Sequence, residues 1–517
     1  MTHLQLHDLL ELIRVPTLDS AKGQLIREST AMLIANTPNI VNELLGALAN
    51  LLDTGANSLA VQHALETIAT AFNIRLHGNI SPDVIEQLDQ RLPVDHSSRQ
   101  HLLKLLARCP TPENAQRLAE LLVTRPLSSV ESWAVYFASL IQLPQVPYGS
   151  LFPRLLDATQ HAQAAVAVLD FTNFLVRSGR LAEHPGKSRA GKWIDLLGHL
   201  AGRLGQSEEW IRRNSSPTRG MAKQVTDSIE LAVALCHTFG LLKERAAIGK
   251  LYQVLELSHR RLRIEAAAAL AALGEDAGKE WLVELAAEPT VRLRALAYAS
   301  ELGMLDDVAP AHRSAEARAE AEFIVYLSDR TQFGFPPAQW ELHDQRELYW
   351  PGYDHAVACF LFRYRYELPG GLRESIGIVG PLTHSFSADL SHLSIADIYA
   401  AFAGWQAEHD DIRIFDIDTS GTTQSAEIQR FLRRLNDAGF SEVEALFLGS
   451  FFGERSLIAR AVRAQSPGIV IADAATESWF PDQRGNAPAQ WPPELCFDIY
   501  KGRRMLAEFN PGHDKIE

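Results

Sequence analysis

Residues 263–303 restrict the fold of this chain more than any other stretch, because they contain the same pattern twice. Two Ala/Leu-rich segments each close on Leu-Gly, at Leu273-Gly274 and Leu302-Gly303. Superposing those endings, an offset of 29 residues from position 273 to position 302, puts Arg263 over Arg292, Ile264 over Leu293 and Ala266 over Ala295. A segment from Gly278 to Ala287 fits between them as a second helix. The unit is helix, short turn, helix. One such pair buries little by itself, so pairs of this kind stack and share a continuous core.

With Ala/Leu helices ending in Leu-Gly, residues 225–328 resemble short HEAT-like repeats of the phycobilisome-lyase type. The resemblance implies an α-solenoid whose concave face binds another protein. It implies a scaffold and no particular chemistry, since one scaffold hosts many functions. Upstream, Ile40, Leu44, Leu45, Leu48, Leu51 and Leu52 recur at helical spacing, as do Leu118, Leu121 and Leu122. Pro16, Pro38, Pro82, Pro93, Pro110, Pro126, Pro144 and Pro185 punctuate this text. Residues 1–222 are therefore expected to be a helical array, either diverged helix pairs or a separate helical domain, with the polar stretch 206–222 as its closing loop. The repeats proper occupy 223–333.

Gly186 to Trp193 satisfies the G-x-x-x-x-G-K spacing of a phosphate loop. However, Trp193 stands where that loop needs Ser or Thr, and no strand precedes it. The match is a coincidence of spacing.

After Asp329–Gln345 the period changes from 3.6 to 2. In HAVACFLFRYRY, residues 355–366, Phe360, Phe362, Tyr364 and Tyr366 share one face, while Cys359, Leu361, Arg363 and Arg365 share the other. Leu368-Pro-Gly-Gly turns the chain into a second strand at Glu374–Val379. A helix follows Ser394, with Asp397 three residues on. Then strands at Ile412–Ile417, Val443–Leu448 and Gly468–Ala472 alternate with helices at Ser425–Ala438 and Arg455–Gln465, and Leu495–Tyr500 with Arg503–Phe509 form a closing hairpin. These nearly all-apolar runs predict a mixed sheet covered on both faces. The fold expected is multidomain: a HEAT-like α-solenoid followed by an α/β domain over 334–517. That last part is similar to the α/β domains found after bacterial HEAT-like arrays.

In a sheet with parallel strands, ligands bind at the carboxyl ends of the strands. The loop Asp416-Ile-Asp418-Thr419 after the strand Ile-Arg-Ile-Phe resembles the nucleophile motif of haloacid-dehalogenase-like phosphatases. Carried over, Asp416 is the nucleophile, Asp418 the acid/base and Ser450 the second-motif residue, while Asp473 and Glu477 hold magnesium. Thr419 and Arg455 are the ligand-binding positions. The chain has Arg455, Arg460 and Arg463 where that family carries a lysine. The plainer reading is that these residues cap helices and face solvent. His384, His392 and His409 lie near Asp389, Asp410 and Asp411 without a ligand spacing such as HExxH, which makes them structural or surface groups. Trp340, Tyr349, Trp350, Tyr353, Trp405, Trp479 and Trp491 crowd the last third, for packing in preference to a partner surface.

The net charge of −14 opposes nucleic-acid binding. Residues 336–517 hold 16 Lys+Arg and 26 Asp+Glu, a net of −10, so the acidity is concentrated there. Cys109, Cys236, Cys359 and Cys496 are far apart with no CxxC pair, as expected of buried thiols in a reducing compartment. No run of 18 apolar residues and no leader pattern is found, so the expectation is a cytoplasmic protein that works on another protein, without membrane or nucleic acid. Magnesium enters only under the phosphatase alternative.

Overall fold

A computed structural model describes residues 6–15, 17–37, 39–54, 58–143, 145–214, 219–407, 409–417, 422–484, 487–488 and 491–510. The chain divides into two compact units, Met1–Leu282 and Val283–Glu517.

The first unit is helical. With the single turn Ile74–His77 set aside, its helices pack on the next but one: Ser20–Asn36 on Ser58–Ala71, Ile40–Asp53 on Pro82–Arg91, and Ser58–Ala71 on Ser98–Arg108. Ala162–Arg177 packs on Arg219–Leu242, which packs in turn on Arg260–Ala272. Several prolines begin helices instead of ending them: Pro82 and Pro112 occupy first-turn positions, where the missing N–H costs nothing. The stretch expected as a loop at 206–222 is largely helical. Ala190–Asn214 runs through most of it and Arg219–Leu242 resumes, with 215–218 outside the described residues. Ala222–Leu242 is long and apolar enough to cross a membrane. Nevertheless it is packed among neighbouring helices, and Thr238 donates to Asn173 Oδ1 at 3.1 Å inside the core. The phosphate-loop-like segment is a short helical turn at Lys187–Arg189, with Trp193 buried in the following helix.

The repeated Leu-Gly endings are real caps. Arg260–Ala272 ends at Leu273 with Gly274 at φ +86°, and Pro289–Glu301 ends at Leu302 with Gly303 at φ +69°. In each, the next N–H reaches back five residues, Glu275 to Leu270 O at 3.0 Å and Met304 to Ala299 O at 2.8 Å. The helix between them is Asp276–Leu285. Arg263 and Arg292, superposed by the repeat, do different work. Arg263 lies over the Trp281 ring at 4.2 Å. Arg292 is buried and donates to Ala286 O, Ala287 O and Ala317 O at 2.8–2.9 Å, and to Glu320.

In the second unit two antiparallel sheets alternate with helices in five layers. Sheet 1 is a meander of β1 (Gln339–Tyr349), β2 (Ala356–Leu368), β3 (Gly371–Val379) and β4 (His384–Ser385). Sheet 2 orders β5 (Ile412–Asp416), β6 (Phe440–Phe451), β7 (Glu454–Arg463), β8 (Ser466–Ala472) and β9 (Glu477–Pro481). The helix Ala315–Ser328 covers the outer face of sheet 1, where Phe323 and Leu327 meet Phe360, Phe362, Tyr364 and Tyr366. Ile395–Gln406 and Pro493–Phe509 fill the space between the sheets, meeting Cys359, Leu361 and Ile376 on one side and Phe447, Ile458 and Ile471 on the other. Thr422–Asp437 covers the outer face of sheet 2 with Ile428 and Leu435. The alternation expected of β2 is thus observed on both faces.

A similar order, one helix, antiparallel strands, one helix, runs from Ala315–Ser328 through four strands to Ile395–Gln406 and from Thr422–Asp437 through four strands and the small hairpin Gln483–Arg484/Ala487–Pro488 to Pro493–Phe509. The two inner helices cross where each has a glycine. A Cβ on Gly404 would lie 1.9 Å from the Asp498 carbonyl, and one on Gly502 would lie 1.8 Å from the Ala400 carbonyl. Each glycine follows the residue its partner touches by four positions, so the contact is two-fold in character.

Three expectations are corrected. The sheets are antiparallel throughout, not mixed. Arg455–Gln465 is not a helix: β7 occupies it, entered through a tight turn with Phe452 at φ 47° and Gly453 at φ 82°. It leaves through Ala464 and Gln465, also left-handed, and Leu457, Ala459 and Ala461 bury one face of the strand. The closing hairpin is a single helix, Pro493–Phe509, and Gly502 is its contact point instead of a turn.

Candidate functional site

Asp473 follows β8 and is buried. Its Oδ1 accepts the N–H groups of Ala475 at 2.8 Å and Thr476 at 2.7 Å, and its Oδ2 accepts the Thr476 hydroxyl and the Tyr500 hydroxyl, both at 2.9 Å. Burial pushes its pKa up, but these hydrogen bonds outweigh burial and hold the carboxyl below the usual range. Burial, with the bond to Asp473, raises Tyr500 to about 12. Glu477 accepts from Arg434 Nε at 2.7 Å, and the same guanidinium donates to Thr476 O at 2.8 Å and to Asp473 O. Asp473 and Glu477 therefore fasten the β8–β9 hairpin to the helices Thr422–Asp437 and Pro493–Phe509.

Asp416 ends β5 and is exposed, and its carbonyl accepts from Gln424 at 3.2 Å. Asp418 and Thr419 lie outside the described residues. Ser450, on β6, is flanked by Arg413 on β5 and Arg455 on β7. Arg455 stacks on Phe415 at 4.5 Å and reaches Glu427 at 3.5 Å. Ser450 and Arg455 are thus brought together, but Asp416 and Asp473 are not. The strands β5 and β8 are separated by β6 and β7, a span of three strand spacings, or about 14 Å. Antiparallel order is the cause, because the crevice of a parallel sheet depends on successive strands ending on the same side.

The histidines have local partners. His384 stacks on Trp405 at 3.9 Å, His392 is 3.5 Å from Asp389, and His409 is 3.6 Å from Asp411 and packs on Phe452. Among the described residues no group of three or more His, Cys, Asp or Glu side chains is placed to hold a metal ion. All four cysteines are buried and free.

A cleft of about 750 Å³ lies on the inner face of β5, where Ile412 and Ile414 lie beside Phe497, Lys501, His409 and Asp410. Lys501 pairs with Asp498 at 2.7 Å and lies over the Phe497 ring at 5.1 Å. Burial raises the Asp498 pKa despite that lysine. Ile414 is 51% exposed there. The sequence reading did not find this cleft. Its one local signal was the alternation in Ile-Arg-Ile-Phe, which identifies a strand without saying that it lies at an edge.

No family model, curated protein or solved structure matches this chain. Fold and site together define a helical region followed by antiparallel sheets layered with helices, with an open cleft at one sheet edge.

Proposed function

We propose that the chain is a protein-interaction scaffold whose helices form a HEAT-like α-solenoid and hold a partner protein. The observation that carries this reading is the packing of helices on the next but one, combined with the twice-used Leu-Gly cap. Stacked pairs of this kind generate a long surface in which each unit needs only its neighbours. Buried cationic side chains tie successive helices together: Arg292 does so at one end, and Arg99 does so between Val94 O and Arg125 O. The buried free thiols suit a reducing compartment such as the cytoplasm, and the net charge of −14 favours a protein partner over nucleic acid.

Affinity purification of the full chain from its native cells tests this reading. A stoichiometric protein, recovered equally with Asp416→Asn, is the expected result. Recovery of no protein, together with a magnesium-dependent phosphatase turnover that Asp416→Asn abolishes, overturns it.

A further inference from the structure

The two sheets have four edge strands, and three of them are guarded. The outer edge of β1 stops at Tyr349, whose N–H donates to Asn510 Oδ1 at 2.8 Å and whose carbonyl accepts from Asn510 Nδ2 at 3.0 Å. A register shift between Leu342 and Asp344 breaks the same strand, and Glu341 and Glu347 charge it. The strand β4 is two residues long. The strand β9 ends in Pro481, whose carbonyl accepts the Trp491 indole N–H at 3.1 Å. Short strands, bulges, charges and prolines are the devices that keep sheet edges from pairing. The strand β5 has an unbroken five-residue register with β6 and neither bulge nor proline.

We propose that the outer edge of β5 is a docking site for an extended segment of a partner protein, which joins sheet 2 as a further antiparallel strand. The backbone fixes the kind of occupant. The Phe452 N–H donates to Asp411 O at 3.2 Å, so Asp411, Arg413 and Phe415 turn their peptide groups toward β6. Ile412, Ile414 and Asp416 turn theirs to the open edge. The Ile412 N–H donates to His409 O and the Asp416 carbonyl accepts from Gln424. Among the described residues the Ile412 carbonyl, both Ile414 groups and the Asp416 N–H remain as a ladder that an extended backbone matches.

The side chains fix its chemistry. On the inner face an added strand would lie beside Ile412, Ile414 and the cleft floored by Phe497, which suits an apolar residue. On the outer face it would lie beside Arg413, which suits an acidic residue. The fitting sequence alternates apolar and acidic residues. A second copy of β5 fits less well. Antiparallel pairing centred on Ile414 sets Asp416 against Ile412 and Arg413 against Phe415, placing each carboxylate against an isoleucine side chain.

The test is fluorescence anisotropy of a labelled ten-residue peptide of alternating isoleucine and glutamate, titrated with the full chain. Saturable binding is expected, weakened at least about tenfold, or roughly 1.4 kcal/mol, in the Ile414→Pro variant, which lacks the central N–H. The Ile414→Lys variant, a change at a half-exposed position that spares the fold, is expected to show the same loss. A peptide of alternating isoleucine and lysine should bind as poorly. Val325→Lys, at an exposed apolar position on the helix Ala315–Ser328, should leave binding unchanged. Absence of saturation at millimolar chain, or equal affinity across the Ile414 variants, overturns the proposal. So does a sedimentation dimer that Ile414→Lys dissociates, since the edge would then belong to a second copy.

Discussion

Asp473 commits both carboxylate oxygens to its own hairpin and to Tyr500, so its chemistry is that of a fastener. Asp473→Ala leaves two N–H groups and a buried hydroxyl without their acceptor, and an expected loss of about 1–3 kcal/mol follows. Because the folded-state pKa is depressed, its contribution is complete above the ordinary carboxylate range of about pH 4. That contribution disappears as the pH falls through the lower folded value. Thermal unfolding across acid pH should therefore show a steeper acid destabilisation for the native chain than for Asp473→Asn. In the helical unit Asp89 and Arg99 form a fully buried pair at 2.7 Å, and Arg125 joins Asp89 at 2.9 Å. Asp89→Ala leaves Arg99 charged and buried, at an expected cost of about 3–5 kcal/mol. Replacing Asp89 and Arg99 together by apolar residues of like volume should cost far less. The midpoint of the helical transition by circular dichroism distinguishes these outcomes.

At the scale of elements the decisive contact is the crossing of Ile395–Gln406 with Pro493–Phe509. In a free helix, Gly→Ala gains about 1 kcal/mol of propensity. At Gly404 or Gly502 the added Cβ would overlap a carbonyl of the other helix and force the pair apart, an overpacking cost of about 1–3 kcal/mol or more. Gly502→Ala is therefore expected to lower the melting temperature of the full chain, and an increase would mean that the helices are not in backbone contact. The sequence made some of these elements legible. Phe360, Phe362, Tyr364 and Tyr366 revealed β2 by alternation, Ser394 revealed the start of its helix, and Leu273-Gly274 and Leu302-Gly303 revealed where two helices end. The rest was hidden for physical reasons. Ala464 and Gln465 turn the chain in a left-handed conformation without glycine, and Leu, Ala and Arg in β7 favour helix until packing decides otherwise. Gly502 looked like a turn because the close approach it serves belongs to a residue about a hundred positions away. The candidate site suffered most. A strand, a helix and a strand at 412–451 suggest a parallel crossover, and nothing local says that β6 returns antiparallel beside β5.

At the scale of the molecule, the chain joins a helical region to a region of antiparallel sheets layered with helices. On the proposed reading, stacked helices offer long faces to a partner, while the interior of the sheet region closes where Gly404 and Gly502 let two helices meet. Arg413 beside the open edge of β5 makes the docking of an acidic segment dependent on ionic strength. Binding of the isoleucine–glutamate peptide is expected to weaken with added salt through Arg413, and a salt-independent affinity would place the contact elsewhere. The most direct measurement for the scaffold reading is hydrogen exchange of the full chain with and without its co-purified partner, read peptide by peptide. The account predicts protection spread over successive helices within residues 6–328. Protection confined to the sheets at 339–481, with none on the helices, would contradict it.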